Sequence, residues 1–302
     1  MNPTSAPPLV SFVIPTYNSR EYITECLHSV RDQSYPEIEV LVVDNDSDDG
    51  TREVIRDEFP EVTLICLPSN LGRTGASNIG FETAEGKYIA LLDDDSEIGS
   101  QWTSELVNEF ERSDLTLGLL QPQVYHPKAP DEKHLFTEPG EISWFIGCGI
   151  MARREALQDC GYFDDNYFVY VDDLELAASL LSHGYTLRTF PEVTTVHKRD
   201  WEADLTPLRI YYCVRNKLWF YWKYYPADAA IVHSLYRIGL FGLRAREHDA
   251  MGAHLRALRD AVRKGWTYAV QERDVCEELK YDELSISDLV MKSGKVLKRQ
   301  FP

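Results

Sequence analysis

Four short apolar runs constrain what this chain can fold into more than any other feature. Leu9 to Pro15 (LVSFVIP), Glu39 to Asp44 (EVLVVD), Val62 to Leu67 and Tyr88 to Leu92 are rich in β-branched and aromatic residues. Each has the length and composition of a strand buried on both faces. Helical patterns separate them. Ile23, Leu27 and Val30 recur at i, i+4, i+7, one face of an amphipathic helix that Asn18 or Ser19 can cap. The turn-forming run NDSDDG (Asn45 to Gly50) leads into a second helix at Thr51 to Glu58, and Thr74 to Ala84 offers a third whose small residues allow close packing on a sheet. The order β-α-β-α-β-α-β with short connections predicts an α/β fold with a parallel, doubly wound sheet.

Such sheets bind ligands beyond the carboxyl ends of their strands, near the point where strand order reverses. Thr16, Asp44 and the triplet Asp93-Asp94-Asp95 all fall at that edge. Three adjacent carboxylates repel one another unless positive charge collects there. Hard oxygen ligands suit Mg²⁺ or Mn²⁺, which commonly bridges to the phosphates of a nucleotide. A solvated acidic turn opening the helix near Gln101 is the plainer alternative for the triplet alone.

Beyond Gln101 the pattern loosens. A helix at Trp102, Leu106 and Phe110 is followed by a strand near Leu117 to Val124, a polar loop from His126 to Gly140, and an apolar strand from Ser143 to Ala152 interrupted by Gly147 and Gly149. Those glycines let a ligand or backbone approach closely. Leu174, Ala177, Ala178 and Leu181 give a helical apolar face that begins at Asp172-Asp173. An acid at a helix N-terminus is ordinarily a cap or a partner of the dipole; a second acid beside it adds repulsion where one would serve. Tyr185 to Phe190 forms a strand, and His197 closes the section.

Bulk composition narrows the rest. The 302 residues carry 31 Lys or Arg against 49 Asp or Glu, a formal charge of −18, which argues against nonspecific nucleic-acid binding. The excess of acid also fits a protein kept soluble in high salt, although ordinary acidic enzymes share it. Six cysteines without CxxC spacing, mostly within apolar patterns, fit reduced core thiols in a cytosolic setting. Pro3, Pro7 and Pro8 make the N-terminus an irregular lead-in without a signal-peptide layout, and every long apolar stretch is broken by Arg or Asp.

Taken in order, the segments SFVIPTYNS (Ser11 to Ser19), VVDNDSDDGT (Val42 to Thr51), NLG and ASNIGF (within Asn70 to Phe81), LLDDDSE (Leu91 to Glu97), GYFDDNYFVYVDDLEL (Gly161 to Leu176) and VHK (Val196 to Lys198) resemble the family-2 glycosyltransferases of the GT-A fold, across residues 9 to about 200. The resemblance implies an inverting, metal-dependent transfer of a sugar, expected to be a hexose, from a nucleoside-diphosphate donor to a hydroxyl of a growing glycan. It implies that Thr16, Tyr17 and Asp44 hold the nucleotide base with help from Arg73. It further implies that Asp93 lies near the ribose, that Asp95 and His197 hold Mg²⁺ or Mn²⁺, and that Asp173 is the catalytic base. Asp172 stands where that family usually has Glu.

The domains expected are 1–205, catalytic, and 206–302, a helical C-terminal extension facing membrane or acceptor. From Leu208 to Tyr225 eight aromatics interleave with Arg209, Arg215, Lys217 and Lys223, and YYCVRNKLWFYWKYYP resembles the helical continuation of family members that build cell-surface or lipid-linked glycans. Between Arg215 and Lys264 ten Arg or Lys face four Asp or Glu, a local +6 that leaves −24 for the remainder. Basic and aromatic helices can lie on an anionic membrane surface, here expected to be the cytoplasmic face beside a polyprenyl-phosphate-linked acceptor. Equally, they can cover the sheet and pair with its acids. Gln271 to Pro302 reads as a charged, partly helical tail. A sugar-phosphate nucleotidyltransferase, poorly served by Thr16-Tyr17-Asn18-Ser19-Arg20 as a phosphate loop, and an inactive sugar-nucleotide-binding scaffold remain the alternatives at this level.

Overall fold

A computed structural model describes residues 6–127, 133–199 and 205–269, together with 271, 273–276 and 279. The middle of the loop expected at 126–140 and nearly all of the tail expected from 271 onward lie outside the described residues. The chain divides into two compact units, Met1–Glu202 and Ala203–Pro302.

The first unit runs β1 (Val10–Thr16), α1 (Ile23–Arg31), β2 (Ile38–Asp44), α2 (Thr51–Glu58), β3 (Thr63–Cys66), α3 (Gly72–Thr83), β4 (Tyr88–Leu92), β5 (Ser96–Ile98), α4 (Trp102–Arg112), β6 (Leu117–His126), β7 (Lys133–Leu135), β8 (Gly140–Ile142), β9 (Gly149–Arg153), α5 (Arg154–Asp159), α6 (Asp172–Ser182) and β10 (Thr186–His197). The strands order as β3-β2-β1-β4-β9-β6-β10-β5. β3, β2, β1 and β4 are mutually parallel, and β10 runs parallel to β6. β9 lies antiparallel between β4 and β6, and β5 runs antiparallel to β10. The sheet is therefore mostly parallel, as the apolar runs require.

Alternate residues of the central strands feed two cores. Phe12, Ile14, Val42, Ala90 and Leu92 pack with Ile23, Leu27, Ile55, Trp102 and Phe110 on one face. Val13, Leu41, Ile89 and Leu91 pack with Phe81, Leu157, Leu176 and Leu180 on the other. Burial on both faces puts most polar residues of β1, β2 and β4 at or next to the strand ends.

Three local expectations are revised. The strand expected from Ser143 begins only at Gly149, because side chains take the preceding backbone groups from the ladder: Ile146 N donates to Gln121 Oε1 at 2.7 Å, Gly147 O accepts from Arg73 at 3.0 Å and Cys148 O accepts from Ser96 Oγ at 2.6 Å. α1 starts at Ile23 without a side-chain cap, since Asn18, at φ 49°, turns its Oδ1 to the Asp48 N–H instead. β10 continues through Pro191 to His197 with a register shift between Phe190 and Thr194, as expected where a proline supplies no N–H to the ladder.

The second unit contains α7 (Pro207–Tyr224), α8 (Ala227–Glu247) and α9 (Met251–Ala269). Thr206 Oγ1 caps α7 by accepting from Arg209 N at 3.2 Å, with Pro207 at the first helical position. Trp219, Phe220, Tyr221 and Tyr224, part of the aromatic run expected to meet a membrane, are instead buried. No helix among the described residues is long and apolar enough to cross a membrane.

Gly80 of α3 lies against β1, where an added methyl would overlap Val13 Cγ1, a β-branched side chain with no freedom to yield. Gly80→Ala is expected to lower stability by about 1–3 kcal/mol in denaturant unfolding, whereas an unchanged midpoint would show that α3 can slide.

Candidate active site

Thr16 and Asp44 are paired in register at the ends of β1 and β2, and β4, the neighbour of β1 on its other side, ends one residue before Asp93. The crevice thus opens where strand order reverses. The three aspartates do different things. Asp94 turns inward and is 6% exposed; its Oδ2 accepts from Thr16 Oγ1 at 2.8 Å and from Tyr17 N at 3.4 Å. Burial pushes its carboxyl up to about 6 despite the nearby Arg199 guanidinium. Asp93 and Asp95 turn toward His197, whose Nε2 lies 3.7 Å and 3.4 Å from their oxygens.

Asp93, Asp95 and His197 can each direct one ligand atom into a common point, all within 4.8 Å of one another. Two carboxylates and an imidazole suit a divalent cation of the Mn²⁺ type. Burial by itself disfavours charge on both partners, yet their hydrogen bond and mutual attraction win: Asp95 is held below the usual carboxylate range and His197 is raised. His197 is set by its pairing with Ser96 across β10 and β5, and its Nδ1 lies 3.2 Å from Nδ1 of His126, leaving Nε2 to the carboxylates.

The second acid pair opens α6. Its N-cap, Val171, sits at φ 70°, and Phe168 and Tyr170 of the same loop are also left-handed. For a β-branched residue that is a strained conformation, so neighbouring contacts must hold it. Arg73 supplies one: Nη1 bonds Asp172 Oδ2 at 2.5 Å, Nε bonds Asp93 Oδ1 at 3.2 Å and Nη2 donates to the Gly147 carbonyl. Thr74 N adds a bond to the Phe168 carbonyl at 3.2 Å. A Cβ on Gly147 would occupy the place of the Arg73 guanidinium. Burial opposes the Arg73 charge, but Asp93 and Asp172 stabilise it more strongly and raise its pKa. One arginine therefore joins the metal-type acids to the helix start that carries Asp173, whose Oδ1 accepts from Leu174 N at 2.8 Å.

Of the residues named from sequence, Thr16, Arg73, Asp93, Asp95 and His197 are joined by this network, through Asp94 in the case of Thr16. Asp173 is one residue from it. Tyr17 is half-exposed at the rim. Asp44 is buried and bonded to Arg52 and, at 3.1 Å, to Ser47 N, while its Oδ2 has no hydrogen-bond partner among the described residues. Sequence reasoning missed Arg199, which donates from its backbone to Asp95 Oδ2 at 2.9 Å and from Nη2 to Ser19 Oγ at 2.9 Å. The consecutive cations after His197 were the available signal. It also missed His126, a buried strand residue with no motif of its own.

An α/β sheet with acids at its switch point and a second acid pair tied to them is the arrangement the GT-A resemblance leads one to expect, and the comparisons with known proteins agree. The family described as glycosyl transferase family 2 matches residues 11–161, half of the chain, and glycosyl transferase family group 2 matches residues 88–241. Glycosyltransferase AglE of Haloferax volcanii is 37% identical over 209 residues, covering 64% of this chain and 68% of AglE. The putative teichuronic acid biosynthesis glycosyltransferase TuaG of Bacillus subtilis is 42% identical over 95 residues, 30% of this chain and 38% of TuaG. The Escherichia coli UDP-Glc:alpha-D-GlcNAc-diphosphoundecaprenol beta-1,3-glucosyltransferase WfaP is 28% identical over 63% of this chain and 77% of its own length. The chain thus spans well under half of TuaG and about two thirds of AglE. Staphylococcus aureus TarS 1–349, solved also with UDP and with UDP-GlcNAc, shares the fold with a TM-score of 0.62 at 18% identity, over 95% of this chain and 92% of TarS 1–349. The Pyrobaculum calidifontis mannosyltransferase PcManGT, in complex with GDP-Man and Mn²⁺, does so at 0.56 and 21% identity, over 97% and 88%. The chain belongs to glycosyltransferase family 2.

Removing Arg73 leaves Asp172 and Asp93 without their common cation. Arg73→Met is expected to cost about 1–3 kcal/mol in unfolding experiments, and Gly147→Ala to shift stability in the same direction. Wild-type stability in both would show that the bridge is not formed in solution.

Proposed function

We propose that this glycosyltransferase moves a hexose from a nucleoside-diphosphate donor to a hydroxyl of a growing, lipid-linked surface glycan, with inversion at the anomeric carbon. The observation that carries the reading is the shared Arg73, which couples the Asp93–Asp95–His197 cluster to the helix start bearing Asp172 and Asp173. Sugar transfer needs two separated acid functions, one against the leaving diphosphate and one against the attacking hydroxyl.

Thr16, Tyr17 and Asp44 are assigned to the nucleotide. A nucleobase N–H would satisfy the Asp44 oxygen that lacks a partner. Asp93 is assigned to the ribose, with Arg73 holding its carboxylate in place rather than contacting the base. Asp95 and His197 would hold a divalent cation, Mn²⁺ suiting the imidazole better than Mg²⁺, which would supply neutralisation of the departing diphosphate. PcManGT carries Mn²⁺, which supports this choice of ion by likeness of fold. Asp173 accepts the acceptor hydroxyl's proton as its oxygen attacks the anomeric carbon from the side opposite the diphosphate; by analogy with inverting glycosidases, this single displacement inverts the centre. Asp172, bound to Arg73, orients the loop and leaves the base role to its neighbour. The lipid-linked acceptor rests on the likeness to WfaP. Residues 1–205 form the catalytic part and 206–302 the acceptor- or membrane-facing extension, at the cytoplasmic face of the membrane.

Hydrolysis of a panel of UDP-, GDP- and dTDP-sugars is expected to proceed with at least one donor and to require Mn²⁺ or Mg²⁺. Asp173→Asn is expected to bind that donor nearly normally while transfer falls by a factor of roughly 10²–10⁴; near-normal turnover would remove the base assignment. Asp95→Ala is expected to lose metal-dependent nucleotide binding in calorimetry, and retained binding would move the cation elsewhere.

A further inference from the structure

α9 is amphipathic in the reverse sense to a helix that serves only its own core. Its inward face is mostly small: Ala253, Ala257 and Ala261 are buried together with His254, and Gly265 sits where any Cβ would overlap the Trp219 indole of α7. Three of its larger apolar residues point the other way. Met251, Leu255 and Val262 recur at i, i+4, i+11 and are 37%, 59% and 71% exposed, while Leu258 between them packs against the unit's own core. A helix stabilised by its own core alone would turn its leucines inward and its alanines outward. α8 buries Ala230, and Phe241 and Ala245 in the same core, yet leaves Leu235 67% exposed.

Charge follows the same spacing. Arg256 and Arg263 each come one position after an outward apolar residue, Arg259 lies between them, and all three are exposed. Arg259 directs its Nε to Asp260, and its side chain stays more than half exposed beside that acid. This row lies in a stretch, Arg215 to Lys264, where ten Lys or Arg outnumber four acids within a strongly acidic chain.

We propose that the outer face of α9 docks on an anionic lipid surface, its apolar row entering the headgroup boundary and its arginine row binding lipid phosphates. Among the described residues no helix is suited to crossing the bilayer, so this helix would lie on it. A second copy of the chain is the poorer partner, because a two-fold contact sets the same face against itself and would bring the arginine rows together. Docking would serve the proposed transfer to a lipid-linked acceptor and takes its purpose from that reading. Vesicle binding is measured without donor or acceptor, however, so the two fail separately.

The test is flotation of the full chain with vesicles of phosphatidylcholine alone and of phosphatidylcholine with an equal part of phosphatidylglycerol, at low and moderate salt. At low salt, binding to the anionic vesicles is expected to exceed binding to the neutral ones by about tenfold or more, and to weaken at moderate salt. Replacing Arg256 and Arg263 with Gln should lower the partition coefficient about fivefold for each charge removed, and the Leu255→Glu, Val262→Glu pair should abolish flotation. Nucleotide binding and the unfolding midpoint should not change, since all four side chains face solvent. Absence of flotation on either vesicle, equal flotation on both, or a concentration-dependent dimer in sedimentation that the glutamate pair dissolves would each overturn the proposal.

Discussion

Negative charge brought to the end of a strand that is buried on both faces must be balanced there, and the rest of the first unit is arranged around that balance. Asp94 and Asp95 lie almost out of solvent, with Asp93 half-buried beside them. Their oxygens are met by Thr16, His197, the Arg199 backbone and Arg73. None of these lies near the triplet in sequence: they come from β1, β10, the residues just after β10, and the start of α3. The topology that brings those four places together is the parallel sheet with its switch point beside β1. The site is thus a consequence of strand order as much as of the aspartates themselves.

Once the charges are balanced, the same groups divide into two functions. His197 draws Asp93 and Asp95 together into a cluster fit for a cation, while Arg73 reaches from Asp93 to Asp172 and ties down a loop with successive left-handed residues. Strain of that kind persists only where the surroundings enforce it. Here the enforcing contacts run from the first acid cluster to the second, so the helix that carries Asp173 is positioned by the residues proposed to receive the donor.

Much of this was legible in the sequence because it depends on local pattern. The β-branched runs forced buried strands, their carboxyl ends located the crevice, and the six ordered motifs indicated the family. What was not legible depends on partners distant in sequence. Nothing local distinguishes Asp94, which bonds Thr16, from Asp95, which meets His197. Gln121, Arg73 and Ser96 capture the backbone of Ile146 to Cys148 and shorten a strand that apolar composition alone would lengthen. The aromatic run of α7 looks like a surface in one dimension, whereas in the structure much of it is core and the exposed apolar residues lie on helices whose sequence is less conspicuous.

The most direct test of the central claim is anomalous diffraction at the manganese edge from crystals grown with Mn²⁺ and a nucleoside diphosphate. A single strong peak is expected within coordination distance of Asp93 or Asp95 and of His197. A peak held by Asp94, or one remote from His197, would contradict it.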